Sequence, residues 1–304
     1  MLYNNIRIYI TEACNAKCIN CFNRENRNNQ YMDVIRFEKL CKYISQNGGS
    51  QIKIMGGEPT IHPDFGVFMK LSQQYFDVVS LFTNAMSKSL FDFIPRNNDI
   101  ITYNFRFYRL LNKKSLLLEY PGIRNLEIQI TPSVNKEIIM KEIERIVSIS
   151  PDRIIPCLTL DCTANIFDDR NSIIPIYEYI WDKCVNLGYR INQDHLIPLC
   201  FLAGTKIPMP KTGTNCTLTC AGLIDSNFNL RFCNQYSDNL INIFTSDGNI
   251  IENDAFHQIL TEKHSQLSRI IKEKGCKSCS MYDLYCNGGC FIGKPVIKYV
   301  SPRF

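Results

Sequence analysis

Cys14, Cys18 and Cys21 lie in the run Cys14-Asn15-Ala16-Lys17-Cys18-Ile19-Asn20-Cys21, a C-x3-C-x2-C spacing that puts three thiols on one short loop. Three thiolates can hold three irons of a cubane and leave the fourth open to a small chelating molecule. Four cysteines would close the cluster for electron transfer alone. No fourth cysteine follows before Cys41, and Cys41 falls on the apolar stripe of a helix-period segment. A zinc site is the competing use of the same ligands.

Cysteines recur at ligand spacings late in the chain. Cys216-x3-Cys220 and Cys233 precede Cys276-x2-Cys279-x6-Cys286-x3-Cys290, and Cys200 stands alone upstream of them. The 304 residues hold fifteen cysteines, an odd count in a long chain with no export signal. Such thiols read as metal ligands in a reducing compartment, so a cytoplasmic location is expected. Cys41 and Cys184, on apolar helix faces, and Cys157, on a buried strand, read as core.

Alternating apolar runs predict strands at Ile6–Thr11, Gln51–Met55, Val78–Thr83, Ile101–Arg106, Leu126–Thr131 and Arg153–Leu160. Helical periodicity predicts helices at Asp33–Asn47, Asp64–Tyr75, Asn135–Ser148 and Ser172–Leu187. Repeated strand–helix units imply an α/β fold with a parallel sheet, here a partial (β/α)6 barrel of the TIM type spanning residues 1–197. Thr102, Asn104 and Arg106 alternate with Ile101, Tyr103 and Phe105, and Glu127, Gln129 and Thr131 with Leu126, Ile128 and Ile130. One face of each strand meets helices, so the polar set is expected to line a ligand-holding lumen. Residues 198–304 begin in a Pro- and Gly-rich stretch and carry few helical patterns beyond Glu252–Lys274. They read as a small cysteine-rich domain organised by metal.

The triad directly after the first strand resembles the hallmark loop of the radical S-adenosylmethionine (SAM) superfamily. Met55-Gly56-Gly57-Glu58-Pro59-Thr60 is similar to that family's GGEP segment after the second strand, and Thr83-Asn84-Ala85 stands where relatives carry Thr-Asn-Gly. The resemblance implies a [4Fe–4S] cluster on Cys14, Cys18 and Cys21, and SAM chelating its open iron. The methionine ammonium of SAM would lie against Gly56, Gly57, Glu58 and Pro59, with further cofactor contacts from Asn84, Asn104, Arg106 or Gln129. An external one-electron donor of flavodoxin or ferredoxin type reduces such a cluster; SAM is cleaved to a 5′-deoxyadenosyl radical, which takes a hydrogen atom from the substrate. The sequence departs from the family pattern in three places: Asn20 replaces an aromatic residue, Ala85 a glycine, and Phe228 the glycine usual before Cys233.

The late cysteines resemble the SPASM extension, which binds two auxiliary [4Fe–4S] clusters, and the shorter twitch extension, which binds one. By the SPASM likeness, Cys216, Cys220, Cys233 and Cys290 would ligate the inner cluster, and Cys276, Cys279 and Cys286 the outer one. The missing eighth ligand is Cys200 or an open iron, and zinc remains the alternative for this domain. SPASM relatives mostly modify peptides or proteins by cross-linking, epimerisation or oxidation, the expected activity here. Dehydrogenation or epimerisation of an aminosugar or aminocyclitol is the alternative, and a non-catalytic iron–sulfur carrier a third reading. Cys162, after the sixth strand, is a candidate hydrogen-atom donor. His62 is expected to shape its loop, and His195 to approach substrate. The net charge of +5 and the lack of a dense Lys/Arg run give no reason to expect nucleic acid. No apolar stretch of about 18 residues suggests a membrane span.

Overall fold

The computed structural model describes residues 6–18, 21, 23, 27–104, 122–160, 168–193, 199–207, 222–233, 236–271 and 276. The chain divides into two compact units, one of Met1–Leu126 with Cys220–Glu262, the other of Glu127–Thr219 with Lys263–Phe304.

The first unit opens with β1 (Ile6–Thr11), α1 (Val34–Gln46), β2 (Gln51–Gly56), α2 (Phe65–Tyr75), β3 (Val78–Thr83) and β4 (Ile100–Asn104). β5 (Ile123–Ile130) runs on into the second unit, which holds α3 (Lys136–Val147), β6 (Ile154–Leu160), α4 (Arg170–Asn186), β7 (Asn192–Gln193) and α5 (Leu199–Leu202). The chain then returns to the first unit with β8 (Leu223–Ile224), β9 (Asn229–Cys233) and β10 (Tyr236–Asn242), and α6 (Asn253–Ile271) ends the described elements.

In the first unit the strand order is β10-β9-β8-β1-β2-β3-β4-β5. β1, β2, β3 and β4 pair parallel in sequence, β8 pairs parallel with β1, and β9 pairs antiparallel with β8. In the second unit β6 and β7 pair parallel. The order is linear and no described pairing closes it, so the fold is the expected α/β class with an open sheet.

Period-two burial explains the strands and period-3.6 burial the helices. Ile6, Ile8 and Ile10 of β1, Ile52 and Ile54 of β2, and Val79 and Leu81 of β3 are fully buried. α1 buries Phe37, Leu40, Cys41 and Ile44, and Phe37 meets Phe68 of α2 with ring centroids 4.6 Å apart. Asp33 caps α1 by accepting from the Arg36 N–H at 2.8 Å. Burial raises the thiols of Cys41 and Cys184, the latter to about 12. With Cys157 they are core, as expected.

Several elements differ from the sequence expectation. β5 starts at Ile123 instead of Leu126, because buried Arg124 shares a face with Leu126, Ile128 and Ile130, which breaks the apolar pattern. β4 is described from Ile100, one residue before the start expected, and Phe105 and Arg106 of the strand expected over Ile101–Arg106 lie outside the described residues. α5 places a helical turn within the stretch read as loop, where the Arg170 guanidinium donates to the carbonyls of Phe201 and Ala203. The hairpin of β9 and β10 and the short β8 were not anticipated, since runs of two to seven residues carry little periodicity.

Asp99, before β4, knits the edge of this sheet together. Its carboxylate accepts from the backbone N–H groups of Val79 and Arg96, from Gln73 and from the Arg96 guanidinium. Burial pushes the Asp99 carboxyl up, but Arg96 and the other donors outweigh it and hold it below the ordinary value. The sign follows from linkage: a depressed carboxyl stabilises the fold above its unfolded value, and that contribution is lost as pH falls through the folded one. Unfolding midpoints are expected to drop on acidification from about pH 4, and Asp99→Asn should flatten that segment of the profile. An unchanged acid limb in the variant would contradict this role.

Candidate metal and cofactor site

The C-terminal ends of β1, β2 and β3 carry three loops that interlock. Gly57 N–H donates to Thr11 O and Glu58 N–H to Ala13 O, each at 2.8 Å, which seats the β2 loop on the cysteine loop. A Cβ added to Gly57 would fall 2.1 Å from Ala13 O, and one added to Gly56 2.2 Å from Thr11 O. Both glycines are therefore required by the chain's packing on itself.

Glu58 ties the second loop to the third. It is buried, and its Oε1 accepts from Thr60 N–H, from the Thr60 hydroxyl at 2.6 Å and from the Thr83 hydroxyl at 2.7 Å. Its Oε2 accepts from Asn84 N–H at 2.6 Å. Burial raises the Glu58 carboxyl against these donors, all of which favour the ionised form. Asn84 closes the circle by donating from Nδ2 to Asn15 Oδ1, between Cys14 and Cys18, at 2.8 Å. Pro59 is buried at the start of the short 3-10 helix Pro59–Ile61.

The cysteine loop is also clamped at its neck. Asn23 donates to Glu12 Oε2 at 2.6 Å, and Thr11 Oγ1 and Glu12 N–H donate to Gln30 O. Burial raises the Glu12 carboxyl, opposed by Asn23 and Arg231. Arg231 of β9 stands 3.9 Å from Glu12 and 2.7 Å from Asp225. His62 Nδ1 accepts from Asp64 N–H, so Nε2 carries the proton and donates to Met32 O at 3.2 Å. With Tyr31 and Phe68 packed on its ring, His62 shapes the loop, as expected.

Cys14, Cys18 and Cys21 are half-buried thiols on this clamped loop, none of them in a disulfide. Burial raises the Cys14 thiol, and Ala16 N–H points at its sulfur from 3.4 Å. Arg27 donates to Ala16 O at 2.5 Å, while its buried Nε has no hydrogen-bond partner. The donor set fits an iron–sulfur cluster: three soft sulfurs, a backbone N–H aimed at one of them and an orphaned N–H beside them. Among the described residues no three His, Cys, Asp or Glu side chains converge to hold a single metal ion.

Of the other expected site residues, Asn104 is half-buried at the end of β4, one residue beyond the Thr83–Tyr103 pairing. Gln129, in the second unit, lies on the half-buried face of β5 with Glu127. Tyr9 of β1, Met55 of β2 and Leu223 of β8 pack together with Phe82 of β3. Cys276 is buried and Cys233 ends β9. Arg106, Cys162, His195, Cys216, Cys220, Cys279, Cys286 and Cys290 lie outside the described residues, and Cys200 is described only as part of α5. Asn15, Asn23, Arg27 and Arg231 belong to the site's framework without a motif that announces them.

The two departures from glycine share a backbone cause. Ala85 and Phe228 both have positive φ, at 57° and 64°, a region that costs side-chain-bearing residues about 1 kcal/mol. Phe228 is held by packing: its ring lies 5.0 Å from Phe244, with the Arg36 guanidinium 4.4 Å above it. Ala85 has only a methyl group to offer in return. Ala85→Gly is expected to stabilise the fold by about 0.5–1 kcal/mol, read as a higher urea midpoint at constant slope. A fallen midpoint would contradict the strain.

Residues 8–108 match the model of the radical SAM superfamily. A GTP 3′,8-cyclase of Chlorobaculum tepidum is 30% identical over 84 residues, covering 27% of this chain and 26% of that protein. A probable GTP 3′,8-cyclase of Methanococcus maripaludis is 24% identical over 211 residues, covering 64% of this chain and 59% of that protein. Such partial spans leave the activity of the whole chain open. The crystal structure of Streptococcus suis SuiB bound to S-adenosylmethionine superposes on 99% of this chain and 75% of SuiB, with a TM-score of 0.69 at 18% identity. Native anSMEcpe with bound AdoMet and Cp18Cys peptide matches 98% of this chain and 92% of its own, with a TM-score of 0.65 at 16% identity. At these identities the likeness is one of fold. No helix among the described residues is long and apolar enough to cross a membrane. The triad on the loop after β1 and Gly56–Pro59 after β2 both fall within residues 8–108, the stretch that matches the radical SAM superfamily model.

Proposed function

We propose that this protein cleaves SAM reductively at a cluster on Cys14, Cys18 and Cys21 and abstracts a hydrogen atom from a peptide or protein side chain. The observation that carries the first part is the interlocked trio of loops, which presents three thiols on a clamped segment against Gly57, Glu58 and Asn84.

When bound, the cluster supplies the electron that breaks a carbon–sulfur bond of SAM. The chain's own residues fix the geometry. Glu12, Asn23 and Gln30 hold the ends of the cysteine loop, and Glu58 holds the β2 and β3 loops at a constant distance from it. Tyr9, Met55 and Leu223, packed with Phe82, form a buried apolar cluster in the sheet that carries these loops.

The peptide reading is supported by the extent of the fold likeness, since SuiB has also been solved bound to the precursor peptide SuiA with a TM-score of 0.69. Auxiliary clusters on Cys216, Cys220, Cys233, Cys276, Cys279, Cys286 and Cys290 complete the proposal. Anaerobic reconstitution should then load roughly eight to twelve irons per chain; iron near four with bound zinc would remove them. Coexpression with each short open reading frame beside the gene tests the substrate. A peptide that loses two hydrogens, or gains solvent deuterium without other change, is the expected product. Unmodified peptides, together with turnover of an aminosugar or a nucleotide, would overturn the peptide assignment.

A further inference from the structure

Three thiolates on one short loop concentrate negative charge, and a one-electron reduction of a cluster there adds another unit. Lys17, on the same loop, is exposed, whereas Arg27 is half-buried against the cysteines. Its Nη1 donates to Ala16 O at 2.5 Å, between Cys14 and Cys18. Its guanidinium also reaches the Cys21 thiol and acts electrostatically on Cys14 and Cys18. A further donor, Nε–H, is buried with no partner among the described residues. A buried N–H without an acceptor is unfavourable, and a thiolate or inorganic sulfide of a cluster is the acceptor this position lacks.

We infer that Arg27 is a positioning residue that sets the reduction potential of the cluster on Cys14, Cys18 and Cys21, by donating to its sulfurs and compensating the charge gained on reduction. The inference rests on the reading that this triad holds a cluster. Hydrogen bonds to cluster sulfurs and nearby charge are what tune such potentials, and in a half-buried site the screening is weaker than in bulk water. The tether to Ala16 O keeps the guanidinium in place in both redox states, so its charge favours the reduced one.

The test uses the full chain, reconstituted anaerobically with iron and sulfide, titrated with dithionite and followed by electron paramagnetic resonance. The relevant signal is the component missing from the C14A/C18A/C21A variant. At the potential where the native protein is half reduced, Arg27→Gln should show at least a tenfold lower ratio of reduced to oxidised cluster, equivalent to about 59 mV for a one-electron couple. Arg27→Lys, which keeps the charge, should recover most of that difference. A native ratio in Arg27→Gln overturns the inference. Equal shifts in both variants also overturn it, by assigning the effect to the shape of the tether. Loss of the signal in Arg27→Gln makes Arg27 a structural strut and overturns it as well. Absence of the signal from the native protein would instead refute the cluster assignment, and this inference with it.

Discussion

Gly57→Ala is expected to unseat the cysteine loop. The added methyl group would lie 2.1 Å from Ala13 O and 2.6 Å from Glu12 O, and both neighbours are backbone. No side chain can rotate away, so one of the two loops must move, breaking the hydrogen bonds from Gly57 and Glu58 to Thr11 and Ala13. Overpacking of this kind costs about 3 kcal/mol, most of it borne by the mouth of the sheet. Reconstituted Gly57→Ala should lose the iron of one cluster and form 5′-deoxyadenosine at less than a hundredth of the native rate, with the circular dichroism of the fold retained. Native iron and rate in the variant would show that the loop tolerates the shift.

Glu58→Ala is expected to be the most destabilising single change at the site. The carboxylate accepts hydrogen bonds from Thr60, Thr83 and Asn84 in a buried setting, and no water-facing alternative exists for those groups. Leaving them unsatisfied should cost about 3–5 kcal/mol and lower the melting temperature by roughly 10 °C. Glu58→Gln keeps one acceptor and turns an amide donor toward groups that also donate, so its loss should be intermediate. A melting temperature within a degree of native in Glu58→Ala would mean that the loops are held by other contacts.

Much of this was legible in the sequence, for identifiable reasons. β1 and β3 were read at their observed limits because each is a short run dominated by β-branched and aromatic residues, the types that favour a strand. α1 was legible within a residue because Asp33 and Asn47 bracket an apolar stripe. The triad and the Gly56–Pro59 segment were legible because cluster ligation and loop packing both demand particular residues at fixed spacing. Other features were hidden by distance. Arg231 meets Glu12 only because β8 and β9 return to the edge of β1, a pairing between segments more than two hundred residues apart. Arg124 was hidden by type, since a buried arginine interrupts the pattern that marks a strand. Ala85 and Phe228 stood out as departures from glycine, but their positive φ, the physical reason for glycine there, emerged only from the backbone.

The most direct test of the account is reductive SAM cleavage by the anaerobically reconstituted protein. With SAM and dithionite and no added substrate, the native chain is expected to form 5′-deoxyadenosine and methionine in equal amounts. Replacing Cys14, Cys18 and Cys21 together by alanine should abolish both products and remove the iron of one cluster, leaving the rest of the bound iron in place. Formation of 5′-deoxyadenosine by that triple variant would contradict the assignment of the cluster to the loop after β1, and a native protein that retains its iron yet forms none would contradict SAM cleavage itself.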